Sequence, residues 1–166
     1  LLAMCFQNGA VSAELVGALL ALGANVRATD KDGYSALQLL CCNSAATPAL
    51  LQLLVREHGL DVDARGFKMR TPLLAMCFQN GAVSAELVGA LVALGADVRA
   101  TDKDGDSALH LLCRNSAATP ALLQLLVREH GLDVDARGFY KRTPLLAMCF
   151  LNGAVSTELV GALVAL

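Results

Sequence analysis

Residues 1–72 and 73–144 can be laid on each other without a gap, and they differ at only seven positions. Residues 145–166 start the same text a third time, with two changes against 73–94. A weaker period lies inside the strong one. Leu1, Leu37, Leu73, Leu109 and Leu145 stand 36 residues apart, as do Cys5, Cys41, Cys77, Cys113 and Cys149; Gly23, Gly59, Gly95 and Gly131 keep the same step. The unit is therefore 36 residues in two alternating versions. A period of that size means a solenoid, in which each unit buries its apolar face only by stacking on its neighbours. A single domain over 1–166 is expected, with units at 30–65, 66–101 and 102–137 and shorter ones at 1–29 and 138–166.

Each unit reads as two helices and a loop. Thr71-Pro72 opens a first helix as N-cap and N1, where the missing N–H of proline costs nothing. That helix runs through Leu73, Leu74, Met76, Cys77 and Phe78 and is expected to stop at Asn80-Gly81. Ser84 opens the second, with Glu86 in the first turn where the dipole favours an anion. Leu87, Val88, Leu91 and Leu94 form its apolar face, and Gly95 ends it. In the other version Ser35 and Thr47-Pro48 take the opening roles and His58-Gly59 closes the second helix. Turn formers such as Asp102-Lys103-Asp104-Gly105 join the pairs.

Composition removes several classes. The chain is 55% hydrophobic and 17% charged, far too apolar for a solvated coil. Its longest apolar run, Leu15 to Ala24, is too short for a membrane span, which needs about 20 residues. No basic segment followed by a cleavage site marks a secretory signal. A formal charge of −2 spread along the chain lacks the basic stripe of a nucleic-acid binder.

At the unit boundaries the chain resembles the ankyrin repeat family. Arg70-Thr71-Pro72-Leu73, Ser107-Ala108-Leu109-His110, Leu94-Gly95-Ala96-Asp97-Val98 and Glu57-His58-Gly59-Leu60-Asp61-Val62 are similar to its TPLH and GADVN-type signatures, and the resemblance covers the whole chain. There are departures. No unit has an intact TPLH, the small Ala pair of the first helix gives way partly to Leu, Met and Cys, and each unit exceeds the family's length of about 33 residues by three, placed around the turn between the helices. The fold implied is all-α: an ankyrin-type α-solenoid of five stacked antiparallel helix pairs joined by hairpin-like loops. The chain begins inside a first helix, stops where Gly-Ala-Asp would follow, and polarises neither end pair. Solenoids need polar caps, so a longer array or end-to-end stacking is expected.

The five periodic cysteines fall on one site of successive first helices, about 8–10 Å apart, too far for a disulfide and too divergent for tetrahedral zinc. They read as small buried residues; Cys42, whose copy is Arg114, reads as exposed. Unpaired thiols fit a reducing intracellular compartment, cytoplasm or nucleus. His110 sits on the TPLH-like site, where the resemblance implies structural hydrogen bonds that Gln38 can make in its copy. No nucleophile, base and orienter can be grouped, so no enzyme activity, cofactor or metal is expected.

The near-identical copies disagree at Tyr34/Asp106, Gln38/His110, Cys42/Arg114, Lys68/Tyr140, Met69/Lys141, Leu20/Val92, Asn25/Asp97, Gln79/Leu151 and Ala85/Thr157. The resemblance places Tyr34, Lys68, Met69, Asp106, Tyr140 and Lys141 on hairpin tips. It places Cys42, Arg114, Gln79 and Leu151 at the groove end of the first helix. Those are the positions the family uses on protein partners. Phe78 and Phe150 lie beside the groove in every second unit, with Phe6, about 20 Å apart if each unit adds about 10 Å; they read as anchors or as packing under the inter-helix turn. A non-catalytic scaffold binding a protein partner is expected. The alternative is a self-assembling array: the second helix of one version offers Glu86, Gly89, Ala90 and Ala93 to solvent, a flat patch of little polarity suited to homo-oligomeric contact.

Overall fold

The computed structural model describes residues 1–6, 11–79, 81, 83–150 and 156–166. Ten α-helices occur among them: α1 (Leu2–Phe6), α2 (Ala13–Ala21), α3 (Ala36–Cys41), α4 (Pro48–Gln52), α5 (Pro72–Phe78), α6 (Ala85–Ala93), α7 (Ala108–Cys113), α8 (Pro120–Gln124), α9 (Pro144–Cys149) and α10 (Thr157–Val164). The described residues contain no strand, only isolated antiparallel bridges joining Thr29 to Ser35 and Thr101 to Ser107 at the loop bases. The protein is all-α, and its helix pairs fit an ankyrin-like helical repeat.

The starts follow the side chains. Thr71, Ser84, Thr47 and Ser12 each accept a hydrogen bond from the backbone N–H three residues on, satisfying one of the donors every helix start leaves open. Ser35 goes further: its own N–H donates to Oε1 of Gln38 at 2.8 Å while its hydroxyl accepts from the Gln38 N–H, a reciprocal capping box. At α5 the chain leaves helical backbone at Gln79, whose φ and ψ are extended. Asn80 itself lies outside the described residues.

Apolar faces then dictate packing. α1 lies against α3, α3 against α5, α5 against α7 and α7 against α9; behind this row α4 packs on α6 and α8 on α10. Leu37, Leu73 and Leu109 occupy the same buried site on successive first helices, and Leu50, Leu54, Val88, Leu91, Leu122 and Leu126 close the core from the second helices. Each such leucine contributes about 2 kcal/mol by leaving water. Cys5, Cys41, Cys77 and Cys113 are buried in the row as expected, but Cys149 is exposed. Its helix α9 packs along α7, and the Cys149 side of it is uncovered.

The two versions differ in one element that the apolar pattern does not show. After Gln52 and Gln124 the second helix widens into a π-turn, Leu53–Glu57 and Leu125–Glu129. From Ser84 to the terminal Gly95 is 11 residues, whereas from Thr119 to Gly131 is 12. One added residue between a cap and a closing glycine is what a π-turn absorbs. The helix end confirms the wider spacing, with the Leu60 N–H reaching the Leu54 carbonyl while the Ala96 N–H reaches that of Leu91.

Candidate functional site

The tips are tight turns over residues 66–70 and 138–142. The Gly66 N–H donates to the Arg70 carbonyl and the Met69 N–H to that of Gly66. Closing the turn puts Lys68 and Met69 at φ 56° and 58°, and Tyr140 and Lys141 at 55° and 56°, a left-handed backbone that costs a side-chain-bearing residue about 1 kcal/mol. Neighbours hold it there. The Gln38 amide crosses from the preceding repeat to donate to the carbonyls of Arg70 and Ala64 at 2.8 and 3.2 Å, and Arg65 donates to that of Met69. In the other copy the Ser107 N–H donates to Nδ1 of His110, which leaves Nε2 to donate to the Arg142 carbonyl at 3.0 Å. The implied structural role of this position is thus met by either residue. Gly66 and Gly138 must lack a Cβ because those crossing side chains lie where it would stand.

Below each tip lies an arginine that the sequence patterns did not single out. Arg70 is buried: its Nε bonds the Asp102 carboxylate of the next repeat at 3.2 Å, and its guanidinium carbon lies 3.5 Å from the centre of the Phe78 ring. Its Nη1 has no hydrogen-bond partner. Tyr34, half-buried, packs on Phe67 with ring centres 6.2 Å apart. Burial raises its phenol pKa, and the charge of Arg70 offsets part of that rise.

In the second copy the same ground is occupied differently. Asp106 is not an exposed tip residue, as its resemblance-based placement had it, but 4% exposed. Its carboxylate accepts the Phe139 N–H at 2.8 Å and pairs with Arg114 at 3.3 Å. Phe150 lies under Arg142 at 3.5 Å, so both Phe78 and Phe150, although exposed on one side, carry a guanidinium on the other. Asp106, Arg114, Tyr140 and Phe150 meet around one cavity of about 440 Å³, together with Phe139, Arg142 and Ala147.

Cys42 and Gln79 line a second cavity of about 350 Å³ at the end of α3. Cys42 is half-buried rather than exposed, because Gln79 and the inter-helix turn close over it; burial pushes its thiol up to about 11, against a smaller opposing effect of the Gln79 hydrogen bond and of Arg70. Lys68, Met69, Tyr140 and Lys141 stand at the tips, Lys68 paired with Asp104 of the next repeat at 3.3 Å. Leu151 lies outside the described residues. Asn115 also escaped the sequence patterns; its buried amide donates to the carbonyls of Cys77, Gln79 and Gly81 and so ties down the long inter-helix turn.

All six cysteines are free thiols, no group of three His, Cys, Asp or Glu among the described residues converges as a metal site, and no described helix is long and apolar enough to cross a membrane.

No protein-family model matches the chain. The chain is similar to NF-kappa-B inhibitor delta of Mus musculus, an ankyrin-repeat protein, with 35% identity over 143 residues that cover 82% of this chain and 41% of the relative. The chain thus spans about two fifths of that relative's length. The similarity supports ankyrin repeats and, at the coarse level, a protein-interaction role.

Proposed function

We propose that the chain is an ankyrin-type α-solenoid, a single domain over 1–166, that performs no chemistry and serves as an intracellular scaffold, holding a protein partner with its hairpin tips and concave groove. One observation carries this reading. Copies otherwise nearly identical differ at Tyr34/Asp106, Cys42/Arg114, Lys68/Tyr140 and Met69/Lys141; Lys68, Met69, Tyr140 and Lys141 stand at the tips, Cys42, Asp106 and Arg114 line the two cavities beneath them, and Tyr34 packs on Phe67 of a tip. The helices around them are nearly unchanged between copies, with Gln38 and His110 fastening the tips in the same way, so the surface varies on a preformed frame and little ordering entropy is lost on binding.

Affinity capture from a lysate of the source cells tests it, comparing the natural chain with tip variants (Lys68→Ala with Met69→Ala, and Tyr140→Ala with Lys141→Ala) and with Gln52→Ala, Arg56→Ala and Gln124→Ala on the opposite face. The expected result is loss of a captured protein with the tip variants alone; loss with the opposite-face set, or with neither, refutes it.

A second reading, lateral self-association, has its own observation: Ala85, Glu86, Gly89 and Ala93 of α6 are exposed together as a nearly flat surface. Concentration-dependent sedimentation is expected on that reading, and a monomer throughout would exclude it.

A further inference from the structure

Tyr34 and Asp106 occupy one position of the 72-residue repeat, so the same place carries an anion in one copy and a phenol in the other. In the second copy that charge is provided for. The Asp106 carboxylate accepts the Phe139 N–H at 2.8 Å and pairs with Arg114 at 3.3 Å. In the first copy Cys42 stands where Arg114 does, and the cation that acts on position 34 is Arg70, from the next tip. Burial raises the phenol pKa, the charge of Arg70 pulls it back, and Cys42 and Asp30 oppose that pull less strongly. Arg70 itself is only partly satisfied. Its Nε meets Asp102 at 3.2 Å and its guanidinium carbon lies 3.5 Å over Phe78, but Nη1 is buried with no hydrogen-bond partner among the described residues. A charged donor in that state is costly and unusual. The tips on both sides of it, 30–35 and 102–106, are described, so the free donor belongs to the interior of the array.

We infer that Tyr34 is a phosphorylation site and that Nη1 of Arg70 receives its phosphate. The γ-phosphoryl group of ATP passes to the phenol oxygen, ADP leaves, and the phenolic proton goes to solvent. The product carries about −1.5 to −2 charges at neutral pH and three strong acceptor oxygens, the kind of group a guanidinium binds through short charge-assisted bonds. Arg70 then spans two anions, Asp102 through Nε and the phosphate through Nη1, a division its planar fork allows. The first copy thereby gains on demand the anion that the second holds permanently. Reaching the hydroxyl requires only local opening. The turn that carries it is closed by the Asp30 N–H on the Tyr34 carbonyl, the Tyr34 N–H on the Asp30 side chain and a bridge from Thr29 to Ser35, with Lys31 and Asp32 exposed between them. No bound partner is needed.

The test uses the folded full chain with Tyr140→Phe, which leaves Tyr34 as its one tyrosine. It is treated with Mg-ATP and a tyrosine kinase chosen because it modifies a free peptide of residues 28–40, and phosphate is mapped by tandem mass spectrometry. Phosphate on Tyr34 of the folded chain is expected; a chain left bare by a kinase that modifies the peptide overturns the inference. The phosphorylated and bare chains are then compared through the ¹⁵N signals of the arginine side chains and through urea unfolding. Phosphate is expected to shift the Arg70 signals, slow their exchange with water and raise the urea midpoint. Unmoved Arg70 signals or a lowered midpoint overturn the part given to Arg70. Arg70→Lys keeps a cation for Asp102 but removes the Nη1 donor, so the rise in midpoint on phosphorylation is expected to vanish in it; a rise of the same size also overturns that part. Should that variant not fold, the signals and midpoints of the chain with Arg70 intact decide alone.

Discussion

Arg70 and Asp102 face each other across a repeat boundary with 2% and 1% of their side chains exposed, while Lys68, two residues before Arg70, and Asp104, two residues after Asp102, keep 35% and 24%. The outer pair is screened by water and contributes about 0–1 kcal/mol. Removing one partner of the inner pair strands a desolvated charge. Asp102→Ala is therefore expected to cost about 3 kcal/mol in urea unfolding, and Arg70→Met with Asp102→Leu to recover much of it; a cost no larger than that of Lys68→Ala would contradict the argument. The cysteines make a second case. Burial pushes the thiols of Cys77 and Cys113 up to about 12 from an ordinary 9.0. A group whose folded value is raised keeps its full stabilisation below the unfolded value, so stability should be level up to about pH 9 and decline as pH climbs from there toward 12. Unfolding midpoints across that range check the sign. At pH 8, iodoacetamide should reach exposed Cys149 well before the four buried thiols.

At the level of the element, the tip is where local preference and tertiary structure disagree. Met69 holds a left-handed φ of 58° because Gln38 and Arg65 fasten the turn on both sides, not because methionine favours it. Met69→Gly should raise stability by about 1 kcal/mol, read from the urea midpoint. Much of this level could be read from the amino acids. Ser and Thr caps, Pro at N1, terminal glycines and the leucine stripe place the helices because each acts within one turn of itself. The tip conformation could not be read, since the crossing bond from Gln38 that helps impose it comes from 32 positions away. Asp106 misleads for the same reason: an Asp after Gly105 in a turn reads as solvated until Phe139 and Arg114 are seen to close on it. Two signals in the sequence bear on this. Tyr34, Gln38 and Cys42, just before, within and at the C-cap of α3, change together in the copy; the extra residue between Thr119 and Gly131 announces the π-turn.

Across the whole molecule, burial runs through a row in which each first helix touches only the ones before and after it among the principal packings. Leu91, fully buried in α6, reports on that arrangement. Leu91→Asn is expected to weaken hydrogen-exchange protection most in α6 and its packing partner α4, with the effect fading toward α1 and α9; uniform loss would show that the row unfolds as one body. The joints along the row are of two kinds. Going from residues 66–101 to 102–137, the chain is pinned by Arg70 on Asp102 and by Asn115 on the turn after α5; going from 102–137 to 138–166, it is pinned by His110 on the Arg142 carbonyl and by Asp106 on the Phe139 N–H.

Because these fastenings are not interchangeable, such an array can lengthen only by even steps. A copy of residues 66–101 spliced in after residue 101 would set Gly66 where Asp102 belongs and Gln79 where Asn115 belongs, whereas a copy of 66–137 spliced in after 137 renews both joints. The double insertion should raise the unfolding midpoint and the single one should not. Recombination between misaligned gene copies would then preserve offspring that gain or shed whole 72-residue blocks, which gives a physical reason for the near-perfect agreement at that spacing and the far looser agreement at half of it.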